Sequence, residues 1–349
     1  MAVLAVLFFH FYAIGQKNNG GSAALIQRLL GSYLRLGWAG VNLFFVLSGF
    51  LITGILLDTK ERPSSITNFY ARRVLRIFPL YYGMLAGLTA VSLAHPEIPL
   101  FMPHQQAWLW TYTSNIYESV YQHYGFLTRH FWSLAVEEQF YLLWPLVVYC
   151  CKPKTLLRIC IGAAVLALGC RLAIIPLVRG PDSASLFWSL LPGKMDGLVL
   201  GAAAAIAART PAALWCSNLG KRLFWPSMIT VLGAQPFMGK APLYANALFE
   251  TAVNCAALSL LLVAVSQTSS FSTIRKVLST TVLRFFGKYS YGMYVLHIAA
   301  LMIAASLVPN AGVGVRAAVA MAITVTAALA SFHFYESPFL KLKRHFGDR

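Results

Sequence analysis

A handful of ionisable side chains stand in stretches that are otherwise apolar. His10 lies inside "MAVLAVLFFHFYAIG", Met1 to Gly15, and Glu137 and Glu138 inside "FWSLAVEEQFYLLWPLV". Arg72, Arg73 and Arg76 open "ARRVLRIFPLYY". A charge inside lipid costs several kcal/mol, about 3 by insertion scales, so each such group is a candidate for function. A neutral imidazole can take a proton from a hydroxyl, and a nearby carboxylate can hold its tautomer and stabilise the imidazolium that forms. Arg73 and Arg76 are three apart on one helix face, and each guanidinium offers a planar fork of donors that suits phosphate. Together these groups could activate an alcohol toward an acyl donor carrying phosphate. Spacing alone leaves two plainer readings open: a hydrogen-bonded structural histidine, and an arginine cluster that anchors the chain to anionic lipid.

The elements that position these residues follow from composition. Hydrophobic residues make up 58% of 349 positions and charged ones 11%, against roughly 25% charged in soluble domains. This is the signature of an all-α, polytopic membrane helix bundle dissolved in a lipid bilayer. The net charge of +17 does not imply nucleic acid, because the Lys and Arg fall largely in short loops between apolar segments, where they report topology. Cys150, Cys151, Cys160, Cys170, Cys216 and Cys255 form no CxxC pair and read as packed or lipid-facing side chains; neither a metal nor a disulfide framework is expected.

Apolar windows cover 36 to 57, 77 to 94, 132 to 151, 156 to 178, 186 to 208, 223 to 239, 242 to 266, 288 to 308 and 314 to 335; with the opening run they make about ten transmembrane helices. The stretch 106 to 126 is aromatic but interrupted by Thr, Ser, Asn and Glu. If it does not span, and both termini are cytoplasmic, nineteen of the 28 Lys and Arg lie in the inner loops 58 to 76, 152 to 158, 209 to 222, 275 to 288 and 336 to 349. Lys17, Arg28, Arg35, Arg129, Arg179, Lys240 and Arg316 are then outside, and Arg171 and Lys194 within the membrane. Counting 106 to 126 as a span would move fourteen of those nineteen outside, against the positive-inside rule. It is therefore expected to be an interfacial or re-entrant element. This topology puts His10 in the outer half of its helix and Glu137 near the outer end of another, so the two could meet. Asn42, Arg171 and Glu250 also fall in outer halves, and Lys194, Asp196 and His297 nearer the midplane.

The ordered motifs resemble those of the acyltransferase-3 family of integral membrane O-acyltransferases. They are "GWAGVNLFFVLSGFLIT" (37 to 53), "FYARRVLRIFPLYY" (69 to 82), "FWSLAVEEQFYLLWPLV" (131 to 147), "MDGLVLGAAAA" (195 to 205), "GKYSYGMYVLH" (287 to 297) and "FYESPFLKLKRHF" (334 to 346). The resemblance implies catalytic roles for His10 and Glu137 and donor binding by Arg73 and Arg76. It further implies acetyl-CoA or another acyl-CoA as donor, reached from the cytoplasm, and an acceptor hydroxyl on a glycan, glycolipid or small molecule at the extracytoplasmic side. The expected location is the bacterial inner membrane. Direct attack and a covalent acyl-histidine both fit. Residues 1–349 read as a single transmembrane acyltransferase domain without a fused soluble domain.

Three positions depart from the family pattern. An Arg usual eleven positions before the histidine would fall upstream of Met1; with only about fourteen apolar residues where a span needs ~20, the first helix is expected to begin upstream. Asn42 stands where Asp is common, and Lys194 where Arg often precedes the Asp two positions on. The competing readings are a transporter or flippase of an envelope precursor, which calls for inverted repeats that the sequence does not display, and an inactive acyltransferase-like scaffold.

Overall fold

The structure, a computed structural model, describes residues 1–15, 31–97, 100–101, 104–121, 125–177, 189–210, 213–239, 241–266 and 271–347. Lys17, Arg28, Arg179 and Lys240, counted above as outer charges, lie outside the described residues. Every regular element among the described residues is helical. The long helices are α1 (Ala2–Gly15), α2 (Ala39–Thr59), α3 (Ser65–Ala94), α6 (Phe131–Cys150), α7 (Pro153–Ile174), α8 (Leu191–Ala207), α9 (Ala213–Met238), α10 (Leu243–Val265), α13 (Ser290–Leu307) and α14 (Val313–Ala330). Between them come the short helices α4 (Gln105–Trp110), α5 (Ser114–Tyr121), α11 (Ser272–Leu278) and α12 (Thr281–Lys288), and α15 (Ser337–Leu342) closes the series.

Among the described residues, six helical stretches are long and apolar enough to cross a membrane: Gly31–Thr59, Ser65–Ala94, Pro153–Ile174, Leu243–Val265, Ser290–Leu307 and Val313–Phe346. Helices also fill the remaining apolar windows, but α1 has 14 residues and α8 has 17. Proline sits inside α3, α6 and α9 at Pro79, Pro145, Pro226 and Pro236, as membrane helices tolerate where neighbours re-satisfy the freed carbonyls.

Small residues set the tightest helix crossing. A Cβ at Gly49 would run into the backbone of Leu198, and one at Gly201 into the backbone of Val46, so α2 and α8 touch main chain to main chain. This is the close approach that lets helices associate where no hydrophobic force drives them together. Farther along the same pair, Arg209 clamps Asp58 with two hydrogen bonds of 2.7 and 2.6 Å. Around this pair, Phe45, Ile52, Tyr81, Phe131, Leu156 and Ile206 are buried in one continuous core.

The stretch 106 to 126 does not form a long helix. α4 and α5 have six and eight residues, and Tyr112 between them takes a left-handed φ of 53°, which turns the chain back. Gln139 of α6 donates to Tyr112 O at 2.9 Å and to Asn115 Oδ1 at 2.8 Å, tying the segment to α6. At the other end of the bundle a π-helical turn, Ser331–Glu336, bends the chain after α14. The C-terminal segment then lies along the start of α3, where Arg72 Nε donates to Phe346 O at 2.8 Å.

Candidate active site

Three histidines from three parts of the chain meet: His10 of α1, His130 just before α6, and His297 of α13. The ring centroids of His10 and His130 lie 4.8 and 4.7 Å from that of His297. Their hydrogen bonds fix the protons. His297 Nδ1 is 2.6 Å from Tyr294 O, and a carbonyl can only accept, so this nitrogen carries the hydrogen and Nε2 is a bare lone pair in the neutral ring. His10 Nδ1 is 3.0 Å from Val6 O and 3.1 Å from His297 Nε2. By the same logic His10 donates from Nδ1 to both. Its Nε2 has no hydrogen-bond partner among the described residues and is left as a base. His130 Nε2 faces Val295 O at 3.3 Å, and its Nδ1 is buried without a partner among the described residues.

A polar stripe on α6 leads away from this cluster. Ser133, Glu137 and Tyr141 recur at intervals of four, one above another on a single face. Tyr294 OH lies 2.5 Å from Ser133 Oγ and donates to His130 O at 2.8 Å. One turn on, Glu137 lines a cavity of about 80 Å³ together with Ser133, Tyr294, Phe44 and Tyr291. A further turn on, the hydroxyls of Tyr141 and Ser48 are hydrogen-bonded, and the Arg73 guanidinium stacks 4.1 Å over the Tyr141 ring. Arg73 is also close enough to act electrostatically on Glu137. Arg76 lies within electrostatic reach of Glu336 and Lys343, which the C-terminal segment brings alongside. The result is a polar column from the arginines to the histidines.

Glu137 thus stands between the two clusters: among the described residues, the side chain hydrogen-bonded to His10 is His297, not Glu137. The depth count set His10 and His297 at different levels, whereas packing of α13 against α1 brings their rings together. The four-residue spacing of Ser133, Glu137 and Tyr141 on α6 is a signal for a polar face, and His297 was one more titratable group in an apolar run.

Several other buried charges are paired in a second network. Arg171 bonds Asp196 at 2.6 Å, Gly193 O at 2.6 Å and Thr251 Oγ1 at 2.7 Å. Lys194 pairs with Glu250. Asn42 donates to Glu250 Oε1 at 3.1 Å and to Asn254 Oδ1 at 2.7 Å. An Asp at position 42 would set a carboxylate against Glu250, so the neutral amide fits this neighbourhood. Among the described residues, no group of three or more His, Cys, Asp or Glu is arranged to hold a metal ion.

The described residues form a largely apolar helical bundle, and the chain belongs to the acyltransferase-3 family, whose model, described as an acyltransferase domain, matches residues 1–333. Among curated proteins it is similar to the peptidoglycan O-acetyltransferase OatA of Listeria monocytogenes serovar 1/2a, with 30% identity over 352 residues, 91% of this chain and 54% of that protein. It is also similar to the O-acetyltransferase OatA of Staphylococcus aureus strain NCTC 8325, with 28% identity over 342 residues, 91% of this chain and 55% of that protein. The chain spans about half the length of these relatives. No solved structure matches it.

Proposed function

We propose that this chain is a membrane O-acyltransferase that moves an acyl group, acetyl by analogy with its relatives, from a cytoplasmic acyl-CoA to a hydroxyl of a glycan on the extracytoplasmic side. In this reading residues 1–349 act as one domain of about ten crossings in a bacterial cytoplasmic membrane, with both termini inside. Arg73 and Arg76 hold the nucleotide phosphates of the donor, and the polar stripe of α6 lines the way for its arm. His10 Nε2 removes the proton of the acceptor hydroxyl as the oxygen attacks the thioester carbonyl. The C–S bond breaks, and the imidazolium returns its proton to the departing thiolate. Glu137, one turn beyond Ser133, balances positive charge on the path between the arginines and the histidines.

The observation that carries this reading is the hydrogen bonding of His10, which commits Nδ1 to two acceptors and leaves Nε2 as a base. The test is acetyl transfer from labelled acetyl-CoA to purified peptidoglycan by the protein in proteoliposomes. His10→Ala should abolish transfer while donor binding persists, and Arg73→Ala should raise the donor KM. A His10→Ala variant with full activity refutes the scheme; an unchanged donor KM in Arg73→Ala returns the arginines to lipid anchoring.

A further inference from the structure

A cleft of about 470 Å³ opens at the end of the bundle opposite the arginines. Its walls are the second half of α1, residues 32–38, the first turn of α8, the last turn of α9 and the first two turns of α10. By the charge asymmetry of the loops this is the extracytoplasmic face. The volume falls in the range of about 300–1,000 Å³ typical of small-molecule sites. Phe9 lines the cleft, and its ring centroid is 5.0 Å from that of His10, so the cleft begins one residue along α1 from the proposed base.

The lining combines aromatic faces with acceptors that are already oriented. Trp38 and Phe249 meet edge to face with centroids 6.3 Å apart. Gln235 is only 6% exposed; its Nε2 donates to Ser32 O at 2.9 Å, and its Oε1 has no partner among the described residues. Both hydrogen bonds to Glu250, from Asn42 and from Lys194, land on Oε1, which leaves Oε2 without one among the described residues. Asn246 spends Nδ2 on Ala241 O and Pro242 O, at 3.2 and 3.4 Å. The oxygens of Gln235, Glu250 and Asn246 thus remain to accept.

Acceptors next to aromatic faces suit one class of ligand better than the others. A pyranose ring presents an apolar C–H face and a rim of hydroxyl donors. An anionic group is poorly served, because the charge of Lys194 is already matched by Glu250, and Arg35 at the rim is exposed, where water screens it. The two ends of the bundle therefore differ in chemistry: a cluster of arginines for a phosphorylated donor, and a charge-matched aromatic cleft for a neutral one.

We infer that this cleft is the acceptor subsite, binding one neutral hexopyranose unit of a glycan against the Trp38–Phe249 edge-to-face pair with its hydroxyls on Gln235, Glu250 and Asn246. The inference rests on the acyltransferase reading for the word acceptor, but binding itself is testable without it. The experiment measures equilibrium binding of a labelled N-acetylglucosamine pentamer to the full chain in nanodiscs, with transfer from acetyl-CoA followed in parallel. Trp38→Ala and Asn246→Ala, which spare the Lys194–Glu250 pair, should each weaken oligosaccharide binding about tenfold or more and leave the donor KM unchanged. Arg73→Ala should do the reverse. Oligosaccharide binding without acetyl-CoA consumption would keep the cleft and overturn the acyltransferase reading. Absence of binding in the parent protein, binding within twofold of the parent in both cleft variants, or equal weakening by Arg73→Ala would overturn the cleft.

Discussion

Replacing His297 by Leu should separate a working partner of His10 from a packing residue. The change fills a fully buried position with an apolar side chain and removes the lone pair 3.1 Å from His10 Nδ1. When His10 takes a proton, its Nδ1–H becomes a charged donor, and a hydrogen bond to a charged group contributes about 1.5–3 kcal/mol. At about 1.4 kcal/mol per tenfold in rate, that is roughly 10- to 150-fold in kcat. Val6 O, 3.0 Å from the same nitrogen, survives the substitution and shares the load, so the lower part of the range, about 10- to 30-fold, is expected. Both KM values should be unchanged, because the bond strengthens only as charge develops. His297→Gln, whose side-chain oxygen can stand near the place of Nε2, should recover most of the loss. The assay is steady-state acetyl transfer from labelled acetyl-CoA, with thermal melting as the control for folding. A Leu variant within twofold of the parent, or one whose KM values rise while kcat holds, refutes the charge-sharing role.

Two further changes test the buried charges. Lys194→Met should destabilise the bundle by about 3–5 kcal/mol by leaving Glu250 unpaired, whereas Lys194→Met combined with Glu250→Leu should recover most of it; equal melting temperatures for the single and double variants would show that the pair is not coupled. In α5, Glu118 is 1% exposed and its Oε1 lacks a partner. Burial pushes its carboxyl well above the usual range, with Arg129 pulling the other way. A raised folded-state pKa means that stability is full below the unfolded value and falls as pH rises through the folded one. Glu118→Gln should therefore match the parent near about pH 4 and melt at a higher temperature near about pH 8; a gap independent of pH would contradict this.

Much was decided before any folding. An apolar excess with few charges obliges the chain to form membrane helices, because only a helix satisfies every backbone group within one segment in lipid. Lys and Arg crowded between particular windows set the orientation expected of those helices. His10, Glu137, Arg73 and Arg76 were conspicuous as ionisable groups in apolar surroundings.

Partners were another matter. Within a helix, spacing determines which side chains share a face; nothing local determines the rotation of that helix about its axis or its depth against a neighbour. At 1.5 Å of rise per residue, an error of a few residues at a window's end moves a side chain by most of a turn, so a depth count does not show that His297 and His10 meet. Only packing brought it to His10 across 287 positions, Lys194 to Glu250 across 56, and Arg171 to Asp196 across 25. The glycine contacts of Gly49 and Gly201 show the physical reason: where two backbones can touch sets how two helices are turned and how deep each sits, and so which titratable groups become one site.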